Sequence, residues 1–121
     1  RKIPGCVFRI HSFIPTFHKF SGKLCNGIQI HVTDPSQYYP VASAYEIFDA
    51  IIETTSPGSL LFNQPPYEYE HKLMPFDILS GDSLMRTSLV NRIPLKTERE
   101  RWNNEIREFL NEFSQMAVYP E

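Results

Sequence analysis

The chain has 121 residues, room for one domain with a real core and too few for two. Hydrophobic residues make up 41% and charged ones 21%, an ordinary globular balance, and twelve Lys and Arg against fourteen Asp and Glu leave a formal charge of −2. There is no basic stripe to neutralise phosphates and no apolar run long enough to cross a bilayer, so neither nucleic acid nor membrane insertion is expected.

The N-terminal stretch RKIPGCVFRI has no initiator Met and no signal-peptide core, and strand-like sequence starts within its first few residues. That pattern predicts a fragment entered in the middle of a longer protein. Cys6–Phe13 reads as a strand with Phe8 and Ile10 on one face and Arg9 and His11 on the other. A loop with Pro15 near its start and Gly22 near its end follows. Residues 27–32 form the second strand, in which Ile28, Ile30 and Val32 alternate with Gly27, Gln29 and His31. The segment Thr33-Asp34-Pro35-Ser36 closes it as a turn, with Asp34 placed to accept backbone N–H groups. If the strands pair as a hairpin, Cys6 lies at the outer end and Cys25 beside the loop, too far apart for a disulfide.

From Pro40 the period becomes helical. Val41, Ala44, Tyr45, Phe48, Ile51 and Ile52 share a stripe that Pro57-Gly58 ends. Residues 60–76 are irregular, and the alternation Tyr67-Glu68-Tyr69-Glu70 suggests an edge strand or an extended ligand-facing loop. A short helix from Asp82 to about Asn91 carries Leu84, Met85, Leu89 and Val90 inward. Thr97 with Glu100 reads as a capping box that opens the last helix, where Trp102, Ile106, Phe109, Leu110 and Phe113 recur at helical spacing. The expected class is α+β, a small antiparallel sheet with helices on one face and a long amphipathic C-terminal helix. In that arrangement Phe8, Ile10, Ile28, Ile30 and Val32 face the helices, and Arg9, His11, Gln29 and His31 share the uncovered side.

Two readings of that polar side stay open. Antiparallel sheets commonly expose one face to water. Against that, long Lys and Glu side chains are absent from it, and Gly27 leaves room for a ligand to approach. His11, His31 and Asp34 form an imaginable metal set, without the close His pair or fourth ligand of a zinc site. Glu68 and Glu70 form an imaginable carboxylate pair, although charged residues beside aromatics usually make a solvated rim. No GxSxG nucleophile elbow and no Gly-rich phosphate loop occur. Tyr38, Tyr39, Tyr67 and Tyr69, in loops, are the candidates for stacking on a sugar ring.

One set of positions is recognisable in order: Phe13, Pro15, Phe17, Lys19, Gly22, Cys25, Gly27, Gln29, His31-Val32, Asp34 and Tyr39-Pro40-Val41. With Pro66 to Glu70, Phe76 to Asp82, Trp102, Phe109 and Tyr119, it closely resembles the C-terminal domain of the NamZ-type exo-β-N-acetylmuramidases. Cys6 stands where that family usually has a simple apolar residue, and reads as packing. The resemblance implies a bacterial glycoside hydrolase of peptidoglycan salvage, periplasmic or secreted, that releases terminal N-acetylmuramic acid. It further implies a preceding Rossmann-like domain that bears the catalytic carboxylate, with the substrate cleft between the two domains. No catalytic residue, metal or cofactor is then expected in this chain. Residue chemistry suggests Arg9 or Lys19 for the lactyl carboxylate of muramic acid and Gln29 and His31 for hydroxyl and N-acetyl groups. Tyr67 and Glu68 complete the candidate binding set. The alternative is a structural or carbohydrate-binding accessory module that lines no active site.

Overall fold

Side chains that alternate with period two, broken by a proline-containing loop, fold into a hairpin in the computed structural model, which describes residues 2–56, 62–116 and 118. Strand β1 (Cys6–Phe13) pairs antiparallel with β2 (Cys25–Val32), from Cys6 opposite Val32 to Phe13 opposite Cys25. Four helices follow: α1 (Pro40–Thr54), α2 (Pro75–Ser80), α3 (Leu84–Val90) and α4 (Leu95–Met116). The class is α+β, as expected, and residues 1–43 and 44–121 form two compact units.

In the first unit the base of the hairpin is locked by Gly5. Its carbonyl accepts the Thr33 and Asp34 N–H groups at 2.9 and 3.1 Å, and its φ is 73°. A Cβ there would lie 2.5 Å from the Asp34 carbonyl oxygen and 2.7 Å from the Tyr38 nitrogen, so no other residue fits. Asp34 caps the turn as expected, accepting the Ser36 N–H at 3.0 Å, the Ser36 hydroxyl at 2.6 Å and the Gln37 amide at 2.7 Å. These bonds, the Ser36 hydroxyl first, hold its carboxyl below the usual carboxylate range.

The expected burial of Phe8, Ile10, Ile28, Ile30 and Val32 is not found. All five are exposed, Ile10 to 85%. The reason is architectural: a hairpin of two strands has no layer of its own to cover either face. Cys6 and Cys25 are free thiols at opposite ends of the ladder. Seven residue steps separate their positions along the strands, roughly 23 Å at ~3.3 Å per residue, several times the Cα span of a disulfide. Thiol titration of the unfolded, unreduced protein is therefore expected to count two; a count of zero at monomeric mass would contradict this register.

In the second unit the core is Tyr45, Met85 and Leu89, with Ile52, Phe62, Phe76, Leu95 and Trp102 packed around it. Tyr45 is 1% exposed, and its hydroxyl donates to the Ile93 carbonyl at 2.6 Å. Burial, with the Glu98 and Asp49 charges nearby, pushes its pKa up to about 12. Helix α2 starts at the end of the stretch read as irregular and continues into the matched block from Phe76, to which no element was assigned. Gly81, at φ 91°, ends it. The Arg86 guanidinium then clamps the Asp77 carboxylate through two bonds of 2.7 and 2.8 Å, and Asp82 Oδ1 caps α3 at the Leu84 and Met85 N–H groups.

Helix α3 turns Met85 and Leu89 inward as expected, but Leu84 and Val90 are exposed. Helix α4 begins two residues before Thr97, so the capping box with Glu100 does not form. Pro94 sets the start instead, its carbonyl accepting the Thr97 and Glu98 N–H groups at 3.0 and 3.3 Å. Glu98, 4% exposed, accepts the Ser88 hydroxyl at 2.7 Å and pairs with Arg101 at 2.9 Å. Along the rest of α4, Ile106, Phe109, Leu110 and Phe113 are exposed; only Trp102 of that stripe joins the core. The expected helix stop at Pro57-Gly58 and the matched Tyr119 lie outside the described residues.

Candidate functional site

Residues opposite each other in an antiparallel ladder point to the same side of the sheet. Arg9 is opposite Gln29, His11 opposite Gly27 and Val7 opposite His31, so Arg9, His11, Gln29 and His31 share one face. All four are exposed, and among the described residues no hydrogen bond beyond the ladder engages the side chain of Arg9, Gln29 or His31. Nothing lies within 4 Å of the Cβ position of Gly27, so the space that its missing side chain leaves is open.

The same alternation puts Phe13 on this face, where its ring stacks on His11 with centroids 6.0 Å apart and planes 14° from parallel. The sequence reading stopped at His11 and missed this aromatic platform. Continuing the period through positions 9, 11 and 13 would have found it. Lys19 stands apart from the face, in the connecting loop. That loop is closed by bonds from Gly22 to Pro15 at 2.9 Å and from Lys23 to Phe20 at 3.0 Å, and the Lys19 ammonium lies 5.4 Å from the Phe20 ring centre.

Tyr67 and Glu68 belong to the second unit. There Tyr67 and Glu70 exchange backbone bonds of 2.8 and 3.0 Å around a two-residue turn, with Glu68 at φ 51°. Where an edge strand or an extended loop was expected there is thus a tight turn, so strand alternation does not put Glu68 and Glu70 side by side. Glu70 instead accepts the Lys72 and Leu73 N–H groups at 2.6 and 3.1 Å, which hold its carboxyl below the usual range. An ionised turn cap is a poor proton donor, so the glycosidase-pair reading loses its basis. Of the loop tyrosines, Tyr69 is the most open, at 95% exposure.

The electrostatics of the hairpin are one-sided. The total charge of −2 conceals a first segment whose earliest carboxylate is Asp34, already engaged in its turn, with Arg9, Lys19 and Lys23 before it. Such a surface suits an anionic ligand and offers no free carboxyl group. His11 and His31 pair with Gly27 and Val7, four steps apart along β1, or roughly 13 Å, beyond the reach of one metal ion. Among the described residues no group of three His, Cys, Asp or Glu is placed to hold a metal.

Residues 1–119 match the family model described as "Exo-beta-N-acetylmuramidase NamZ, C-terminal". The chain is also similar to the peptidoglycan β-N-acetylmuramidase NamZ of Bacillus subtilis (strain 168), 26% identical over 118 residues, which cover 97% of this chain and 26% of that protein. The chain thus spans about a quarter of the length of that curated relative. No solved structure matches it.

Proposed function

The chain belongs to the family of NamZ C-terminal domains, and from that premise we propose that it forms one wall of the substrate cleft in an exo-acting glycoside hydrolase. The parent enzyme releases terminal N-acetylmuramic acid from peptidoglycan fragments, in the periplasm or outside the cell. This domain holds the sugar, and a preceding Rossmann-like domain supplies the carboxylate that cleaves it.

The observation that carries the reading is the carboxylate-free face of the hairpin, with Arg9 opposite Gln29 and His31 two residues beyond. Muramic acid differs from its sister amino sugar by a lactyl ether that ends in a carboxylate, and a guanidinium recognises a carboxylate through paired charge-assisted bonds. Arg9 takes that role on the face, with Lys19 contributing from the loop. Gln29 and His31 offer neutral donors and acceptors to hydroxyl and N-acetyl groups, and the His11–Phe13 pair gives the ring a surface to lie on.

The experiment is hydrolysis of a chromogenic muramic acid glycoside by the full-length parent and by the 121-residue chain alone. Turnover is expected from the parent and none from the isolated chain, because its face holds no pair of carboxyl groups of the kind glycoside hydrolysis uses. Cleavage by the isolated chain, free of contaminating hydrolase, would overturn the division of labour, and an inactive parent would overturn the whole reading.

A further inference from the structure

A glycine inside a strand weakens it, because it gives up more backbone freedom on folding than any other residue and has no side chain to pack. Gly5, Gly22 and Gly81 have a local reason to be glycine, with φ of 73°, 73° and 91°. Gly27 has none. Its backbone lies outside the left-handed region, and nothing stands within 4 Å of the Cβ it lacks. A strand glycine that the fold does not demand marks a place where something comes close to the backbone.

The neighbours of Gly27 say what that is. It lies opposite His11, one row along the face from Arg9 and Gln29, which is two residues or roughly 7 Å at ~3.3 Å per residue. The next row holds Phe13, whose ring stacks on that of His11. Neither row contains Lys, Arg, Asp or Glu. Bare backbone beside an aromatic pair, without formal charge, fits an uncharged pyranose whose apolar body rests against the rings.

We propose that these two rows are the subsite for the second sugar of the substrate, the uncharged N-acetyl amino sugar on the leaving side of the scissile bond. The inference rests on the cleft reading, which places the carboxylate-bearing muramic acid at Arg9, and adds to it the direction of the glycan. One row is close to the advance of one sugar in a β-linked chain, so a glycan lying along β1 that starts at Arg9 brings its second ring to Gly27. The opposite direction offers only the row of Val7 and His31, the last of this face within the ladder, which lacks both the ring pair and the glycine. The substrate therefore runs from Arg9 toward the connecting loop.

Filling the gap tests this. Gly27→Val and Gly27→Ala are made in the full-length parent and assayed on two substrates. One is the β-1,4 disaccharide of N-acetylmuramic acid and N-acetylglucosamine, whose leaving sugar covers Gly27; the other is N-acetylmuramyl β-fluoride, whose leaving atom ends short of it. The ratio of kcat/KM for the disaccharide to that for the fluoride is expected to fall about 10-fold with valine, the worth of one lost ring contact, and less with alanine. The melting temperature should hold or rise, since a β-branched residue suits a strand. An unchanged ratio in both variants would overturn the assignment, and so would a lowered melting temperature in both, which would show that protein and not sugar uses the gap. If the unaltered parent cleaves neither substrate, the cleft reading fails and takes the subsite with it; if it cleaves both and the ratio does not move, the subsite alone fails.

Discussion

Leu89→Ala is expected to cost the domain about 2–5 kcal/mol of unfolding free energy. Leu89 is 0% exposed and sits in the cluster with Tyr45 and Met85. It is fixed on a helix of seven residues that Asp82 caps at one end. The helix is too short to relax around a cavity without breaking its few backbone bonds, which places the cost in the upper part of the range. Urea titration followed by far-ultraviolet dichroism reads it as a lower midpoint at unchanged slope. Val90→Ala, next in sequence but exposed, is the comparison and is expected to stay within about 0.5 kcal/mol of the parent. A Leu89 variant as stable as the Val90 variant would show that this cluster is not the core.

The hairpin was legible in the sequence because side-chain period is a local signal. Positions 6–13 and 27–32 alternate strictly, and the register that follows also separates the two cysteines correctly. The Asp34 turn was legible for the same reason, since its bonds reach only to Ser36 and Gln37. Which face of the hairpin is covered was not legible. That depends on what lies beyond the strands, and alternation says only that the faces differ. Helix α2 has six residues, fewer than two turns, so no periodicity could accumulate to reveal it.

Two local signatures misled where a stronger constraint operated. Thr97-x-x-Glu100 has the form of a capping box, but Pro94 starts the helix earlier and places Thr97 inside the first turn. In that turn Glu98 is buried, accepts the Ser88 hydroxyl and pairs with Arg101. The aromatic and acidic alternation at 67–70 imitates a strand while forming a turn around Glu68. The matched block from Phe76 to Asp82 turned out to build the fold, with Asp77 on Arg86 and Asp82 at the head of α3. At the matched positions Gly27, Gln29 and His31 the backbone builds the ladder, while the Gln29 and His31 side chains make no hydrogen bond among the described residues.

His31→Ala tests the cleft role most directly. His31 is exposed on the face that carries Arg9 and Gln29, opposite Val7. If the imidazole holds the sugar, its loss removes one or two hydrogen bonds made to the substrate. Turnover efficiency of the full-length enzyme on a muramic acid glycoside should fall by about 1–3 kcal/mol, or ~5- to 150-fold. The melting temperature should stay within a degree or two, since the change opens no cavity. Both quantities are measured on one preparation. A stable variant with kcat/KM reduced in that range is the predicted result; a variant with unaltered kcat/KM, whether or not its melting temperature has dropped, would contradict the account.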